Sequence, residues 1–299
     1  MNMKVVVFLT CISLSLIFVS STFTWIDDSN KKGEKTMHPF AELSVPQGSV
    51  GIHWFEQNSY AIKDSHGTIV QIDPYFPHNR PAETFVHAKP PLNEAQLPTD
   101  YVLVTHAHGD HTCSETLSRI HKAWPEAQYV GPKESIAQIL KETDIDTDHT
   151  ITIAAGESAK IGTMTVYAVY SKPPQGDAKA GINPPDVTHL GYVLDAGGVR
   201  IYNSGDAINT LAEHDDLVKS VAALKPDIGL ITTHPTEGEF PFFEGSVLLA
   251  QRIGLKAAVP SHRSCFVKRD YDPQEWAAQF PKDGPKPIII PWNSHIIYP

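Results

Sequence analysis

The chain has 299 residues and a formal net charge of −10, from 24 basic and 34 acidic side chains, and it carries 15 histidines. No basic run is denser than Lys31-Lys32, so the composition excludes a cationic track for a nucleic-acid backbone. Nothing repeats with a solenoid period and no segment is of low complexity.

Met1 to Lys4 carries one positive side chain, and Val5 to Trp25 carries no charge over 21 residues. A basic start followed by an apolar core predicts a secretory signal peptide over residues 1–25, with Val19-Ser20-Ser21 as small residues for cleavage. The same stretch reaches the roughly 20 residues that span a bilayer, so a retained membrane anchor is the alternative. Lys4 before it and Asp27-Asp28 after it favour an N-terminus that stays inside. Both versions predict an extracytoplasmic protein (secreted, periplasmic or membrane-anchored) that meets a membrane only through that anchor. Residues 26–42, with the polar Ser29 to Lys35, read as a linker, and residues 43–299 as the folded domain.

That domain opens with three strand-like runs, Ser49–Phe55, Ser59–Ile62 and Thr68–Asp73, the last two joined by the Asp64-Ser65-His66-Gly67 turn. Pro74 to Pro98 is Pro-rich and reads as a surface loop. Asp100–Val104 reads as a buried strand, Cys113–Ala123 and Glu134–Glu142 as helices, and Thr150–Ile153 and Met164–Tyr170 as strands. Ser171 to Val187, with four prolines and two glycines, reads as a long loop. His189–Asp195 and Val199–Asn203 form a second hairpin across Ala196-Gly197-Gly198. A helix (Leu211–Leu224), a strand (Ile228–Thr232), a helix (Glu244–Arg252), a strand (Ala257–Val259) and a helix (Pro273–Phe280) complete the order. Hairpin-rich sheets in both halves, each followed by helices, predict an α/β fold: a four-layer αβ/βα sandwich.

Between the strand at Asp100–Val104 and the helix at Cys113 lies Thr105-His106-Ala107-His108-Gly109-Asp110-His111. Three imidazoles and a carboxylate on one strand-to-helix loop are ligand types that suit Zn²⁺, Mn²⁺ or Fe ions. Three further candidates sit beside apolar strands: His189, Asp206 after Gly205, and His262 after Ala257–Ser261. Taken singly, an Asx turn would explain Asp206 and a strand-end cap would explain either histidine. Five histidines and two aspartates together suffice for two metal ions.

The order H-x-H-x-D-H, then His, then Gly-Asp, then His resembles the metallo-β-lactamase superfamily. The contexts Asp73-Pro74-Tyr75-Phe76, Tyr202–Asp206 and Val259-Pro260-Ser261-His262 look most like its branch containing L-ascorbate-6-phosphate lactonase. The resemblance implies that His106, His108 and His189 hold one divalent metal ion, that Asp110, His111 and His262 hold a second, and that Asp206 bridges them. It implies a binuclear centre of Zn or Mn whose metal-bound hydroxide attacks a small ester or lactone, with Asp110 as catalytic proton carrier. Asp73 is expected to orient a ligand histidine by hydrogen bonding, and His234, at a strand end, to touch substrate. His53 and Trp54 are expected in the core. A phospholipase D-type phosphodiesterase shares the same centre and is the first alternative; a non-catalytic metal-binding protein is the second. A β-lactamase is disfavoured because the second site has His262 and no cysteine at the strand end. Cys113 and Cys265 flank His111 and His262, so a disulfide is considered, with two separate buried thiols the better expectation.

Overall fold

The computed structural model describes residues 36–299; the expected signal or anchor and most of the expected linker lie outside them. One seven-stranded sheet contains β1 (Val50–Glu56), β2 (Ser59–Lys63), β3 (Ile69–Ile72), β4 (Tyr101–Leu103), β5 (Gln128–Gly131) and β6 (Thr150–Thr152), with the C-terminal β14 (Ser294–Tyr298) on the edge beside β1. The second, also of seven strands, runs β13-β12-β11-β10-β9-β8-β7: β7 (Ser158–Ile161), β8 (Met164–Tyr170), β9 (Leu190–Ala196), β10 (Val199–Asn203), β11 (Ile228–Thr232), β12 (Ala257–Ser261) and β13 (Lys286–Pro287). Each sheet begins as an antiparallel meander and ends as a parallel array, β3 to β6 in one and β10 to β13 in the other.

Alternation along the strands builds the layers. Val50, Ile52 and Trp54 of β1 face the other sheet, where they meet Tyr192, Leu194 and Ile201 in the largest apolar cluster, while Phe55 points the opposite way. The helices α2 (Ser114–Ala123) and α3 (Lys133–Glu142) cover the first sheet, with Leu117, Ile120, Ile136 and Ile139 packed on Val102 and Tyr129. The pairs three apart lie on one helical face. On the second sheet, α4 (Asp215–Ala223) and α5 (Phe243–Ile253) bring Val218, Val221, Leu249 and Ile253 onto Val193, Tyr202 and Ile231. The short α6 (Pro273–Ala277) adds the fully buried Trp276. Each such large apolar side chain contributes roughly 1.5–3 kcal/mol on burial. The predicted αβ/βα sandwich is the observed fold.

Three readings of the sequence need correction. The domain begins before residue 43: Pro39–Glu42 forms a helical turn, α1, capped by the His38 ring at 3.3 Å, and Phe40 is fully buried against the first sheet. Residues 74–98 do not merely cross the surface, because Phe76, Leu92 and Leu97 fill the outer face of β1–β3. The same segment carries Arg80, whose guanidinium makes a bidentate pair with Glu56 at 2.7 and 2.9 Å, both side chains wholly buried. The helix expected over residues 211–224 is broken at His214 into a 3₁₀ turn and α4. The short strands β5, β7, β13 and β14 carried too few alternating positions to stand out. No helix among the described residues is long and apolar enough to cross a membrane.

Candidate metal centre

In both sheets the parallel strands end at the same edge, and the chemistry-bearing residues follow those ends: Asp73 after β3, His106 to His111 after β4, Asp206 after β10, His234 after β11 and His262 after β12. His189 precedes β9, which runs antiparallel to β10, so it reaches the same edge. Gly205 is required for this assembly. Its φ is +54°, and a Cβ there would sit 2.4 Å from the carbonyl oxygen of Leu190.

All seven predicted ligand residues are brought together in three overlapping groups: His106, His108 and His189; His106, His111 and Asp206; and Asp110, His111 and His262. Within each group one donor atom per residue lies within 4.8 Å of the others. His106 Nε2 is 3.1 Å from His108 Nδ1. Asp206 lies between the outer two groups. Its Oδ1 is 3.3 Å from His111 Nε2 and 3.2 Å from His262 Nε2, and its Oδ2 is 3.7 Å from His106 Nε2.

The outward nitrogens have partners of their own. His111 Nδ1 is 2.7 Å from Asp73 Oδ2, which also accepts from the Thr105 hydroxyl and from Asn58 Nδ2. Asp73 Oδ1 accepts from the Thr105 backbone N–H at 2.7 Å. His108 Nε2 lies 3.1 Å from Asp186 on the 171–188 loop, and His106 Nδ1 lies 3.0 Å from the Thr105 hydroxyl. Carboxylates that orient ligand imidazoles are a regular feature of metal sites.

The inward atoms are the reverse. His111 Nε2, both ring nitrogens of His189, His262 Nε2 and Asp206 Oδ1 are buried without a hydrogen-bond partner; the short Asp206 contacts are close but not aligned as hydrogen bonds. An unsatisfied buried polar atom costs about 1–3 kcal/mol. Four residues with such atoms, His111, His189, His262 and Asp206, come together among imidazoles and carboxylates, which fits divalent cations.

Burial, followed by the charge of neighbouring His111, holds the His106 imidazole well below its ordinary range. Burial and then Lys172 push His189 down to about 3. Burial opposes protonation of His111 as well, but Asp206, Asp73 and Asp110 together override it and hold that ring well above the usual value. Burial would raise Asp206, yet His111 and His262 keep its carboxyl well below the usual range.

His234 is buried at the same edge. Its Nδ1 accepts from the backbone N–H groups of Thr236 and Glu237 at 3.2 and 2.8 Å, and its Nε2 has no partner. His53 and Trp54 are buried; His53 Nε2 pairs with Asn293 at 2.9 Å. Cys113 and Cys265 are free, buried thiols.

Other residues of the site carried no signal in the sequence. Gln57 and Asn58 form the tip of the β1–β2 hairpin, and such a polar pair ordinarily marks an exposed turn, yet both are buried. Asn58 exchanges hydrogen bonds with Asn203, whose Oδ1 also accepts from the Gly205 N–H and so fixes the turn into Asp206. Asp186 is one acidic residue among several polar ones in a Pro-rich loop. Its place three residues before His189 is the one available hint.

Comparison with known proteins agrees with this geometry. The beta-lactamase superfamily domain matches residues 68–263. A UPF0173 metal-dependent hydrolase of Thermoplasma acidophilum is 30% identical over 210 residues, covering 70% of this chain and 82% of that protein. Another, from Archaeoglobus fulgidus, is 24% identical over 229 residues, covering 75% and 88%. Among solved structures, the isothiocyanate hydrolase from Delia radicum gut bacteria superposes with a TM-score of 0.62 at 17% identity, over 82% of this chain and 98% of that one. Igni18, a metallo hydrolase of Ignicoccus hospitalis, gives 0.61 at 17%, over 84% and 99%. These last two share the fold. The chain belongs to the metallo-β-lactamase superfamily and, within it, to the UPF0173 family of metal-dependent hydrolases. It is a metal-dependent hydrolase.

Proposed function

We propose that the chain is a two-metal hydrolase of a small ester or lactone. The observation that carries this reading is Asp206, with one oxygen toward His111 and His262 and the other toward His106. On this reading His106, His108 and His189 hold one ion, Asp110, His111 and His262 the other, and Asp206 is shared. A pair of divalent ions, Zn or Mn, would acidify water and polarise the oxygen of a scissile carbonyl.

The chain's own residues do the rest. Asp110 is the partly exposed acid of the cluster, placed to take a proton from the attacking water and return it to the leaving oxygen. His234, its Nδ1 occupied as an acceptor, carries its proton on Nε2 and offers it to a substrate oxygen. Two hollows flank the cluster, of about 310 Å³ beside Asp110, Phe266 and Arg269, and about 300 Å³ beside His108, Asp186 and His189. Both suit a small molecule. The lactonase-like reading rests on the sequence contexts at Asp73, Asp206 and His262, and the extracytoplasmic setting on the uncharged run from Val5 to Trp25.

The phosphodiesterase reading uses the same residues. Metal-loaded protein assayed on a lactone panel and on bis(p-nitrophenyl) phosphate separates the two. Faster lactone turnover supports the proposal, and faster phosphodiester turnover replaces it. Two bound ions with neither activity would leave a metal-binding protein.

A further inference from the structure

Gln57 occupies a backbone position that disfavours it. Its φ is +48°, the left-handed region that glycine and asparagine enter most readily. The side chain is also polar and 1% exposed. A residue held against both preferences points to work done by the side chain.

Its contacts say what that work is. Gln57 Nε2 donates to Asp110 Oδ2 at 2.8 Å. The Gln57 carbonyl accepts from the His262 backbone N–H at 2.9 Å, and the Gln57 N–H donates to the Arg263 carbonyl at 2.9 Å. Trp54 Nε1 donates to the same Gln57 carbonyl at 3.0 Å, which ties the hairpin tip to the core. His262, the residue clasped on the far side, is itself left-handed, at φ +67°. One residue from the first sheet therefore grips two members of the Asp110, His111 and His262 group, one through its side chain and one through its backbone. Arg269 Nη1 and His111 Nε2 each approach the same Asp110 oxygen at 3.9 Å, so Gln57 holds the oxygen that faces the His111 ring. Gln57 Oε1 is buried without a partner beside Asp110.

We propose that Gln57 is the positioning residue of the second metal subsite: its amide fixes the rotamer of Asp110 while its carbonyl fixes the backbone of His262, and its Oε1 is available to accept from a water or substrate donor there. No such grip reaches His106, His108 or His189, so Gln57 acts on one subsite only. The inference rests on the two-ion reading above.

The left-handed backbone supplies the test, because Gln57→Gly removes the amide while suiting φ better than the native residue. Gln57→Asn likewise suits the backbone but falls one methylene short of Asp110. Purified full-length parent and both variants are melted without metal, then titrated calorimetrically with Mn²⁺ alone. The expected result is a metal-free melting temperature at or near that of the parent, an unchanged first binding event, and a second event weakened at least about tenfold, the range seen when residues orienting a ligand are removed. If the parent binds two ions and both variants bind them with unchanged affinity, the proposal falls and the two-ion reading stands. If both events weaken equally, Gln57 is merely structural and the proposal also falls. A parent that takes up no second ion overturns the reading beneath it, and the proposal with it.

Discussion

Asp73 Oδ2 lies 2.7 Å from His111 Nδ1, with both side chains fully buried, whereas Asp186 meets His108 Nε2 at 3.1 Å with its own side chain 72% exposed. Each carboxylate meets a ring nitrogen of a candidate ligand histidine, but in a different dielectric. Buried, Asp73 holds its histidine without competition from water; exposed, Asp186 competes with water. Asp73→Ala should weaken metal binding by about 10–100-fold and strand the Thr105 and Asn58 donors. Asp186→Asn should weaken it much less. Competition against a metallochromic chelator measures both, and equal losses would refute the distinction.

Metal uptake should release protons near neutral pH. His111 is held well above the ordinary histidine range by Asp206, Asp73 and Asp110 despite its burial, so it is a cation before a metal arrives and must be neutral to ligate one. Affinity should therefore rise with pH until the pH passes the His111 value. Calorimetric titration in two buffers of different ionisation enthalpy counts the protons. A binding enthalpy independent of buffer would contradict the prediction.

The Glu56–Arg80 pair anchors residues 74–98 to β1, and Arg80 also donates to the His87 carbonyl at 2.8 Å. Removing one partner of a buried pair leaves an uncompensated charge, a loss of about 3–5 kcal/mol. Arg80→Ala should lower stability by that amount in urea unfolding. A loss below about 1 kcal/mol would place the pair among weak surface bridges.

His53 is pushed from 6.5 down to about 3, chiefly by burial, with the Asn293 hydrogen bond opposing. A histidine whose folded value is depressed stays neutral while the unfolded chain takes up a proton. Stability should consequently fall as pH drops from about 6.5 toward 3, by about 1.4 kcal/mol per pH unit from this one group. Parent and His53→Gln, melted across that range, should diverge in slope.

The layers and the seven ligand candidates were legible in the sequence because they follow strong local signals. Apolar alternation marks Val50–Phe55 and His189–Asp195, and ligands at strand ends need only a loop to converge. The supporting residues were not legible. Gln57 and Asn58 read as a hairpin turn, and only the docking of the second sheet against that tip turns an ordinarily wet pair into a buried one. Arg80 and Glu56 likewise look like surface charges until residues 74–98 fold back over β1. Phe40 has no periodic neighbours to mark its short turn as part of the core.

Hydrolysis measured against metal bound per chain tests the central claim most directly. Protein stripped by chelator and reloaded stepwise with Mn²⁺ or Zn²⁺ should hydrolyse lactone only as occupancy rises toward two ions, and Asp206→Ala should never reach two. Full hydrolysis by the stripped protein, or by Asp206→Ala at parental rate, would contradict it.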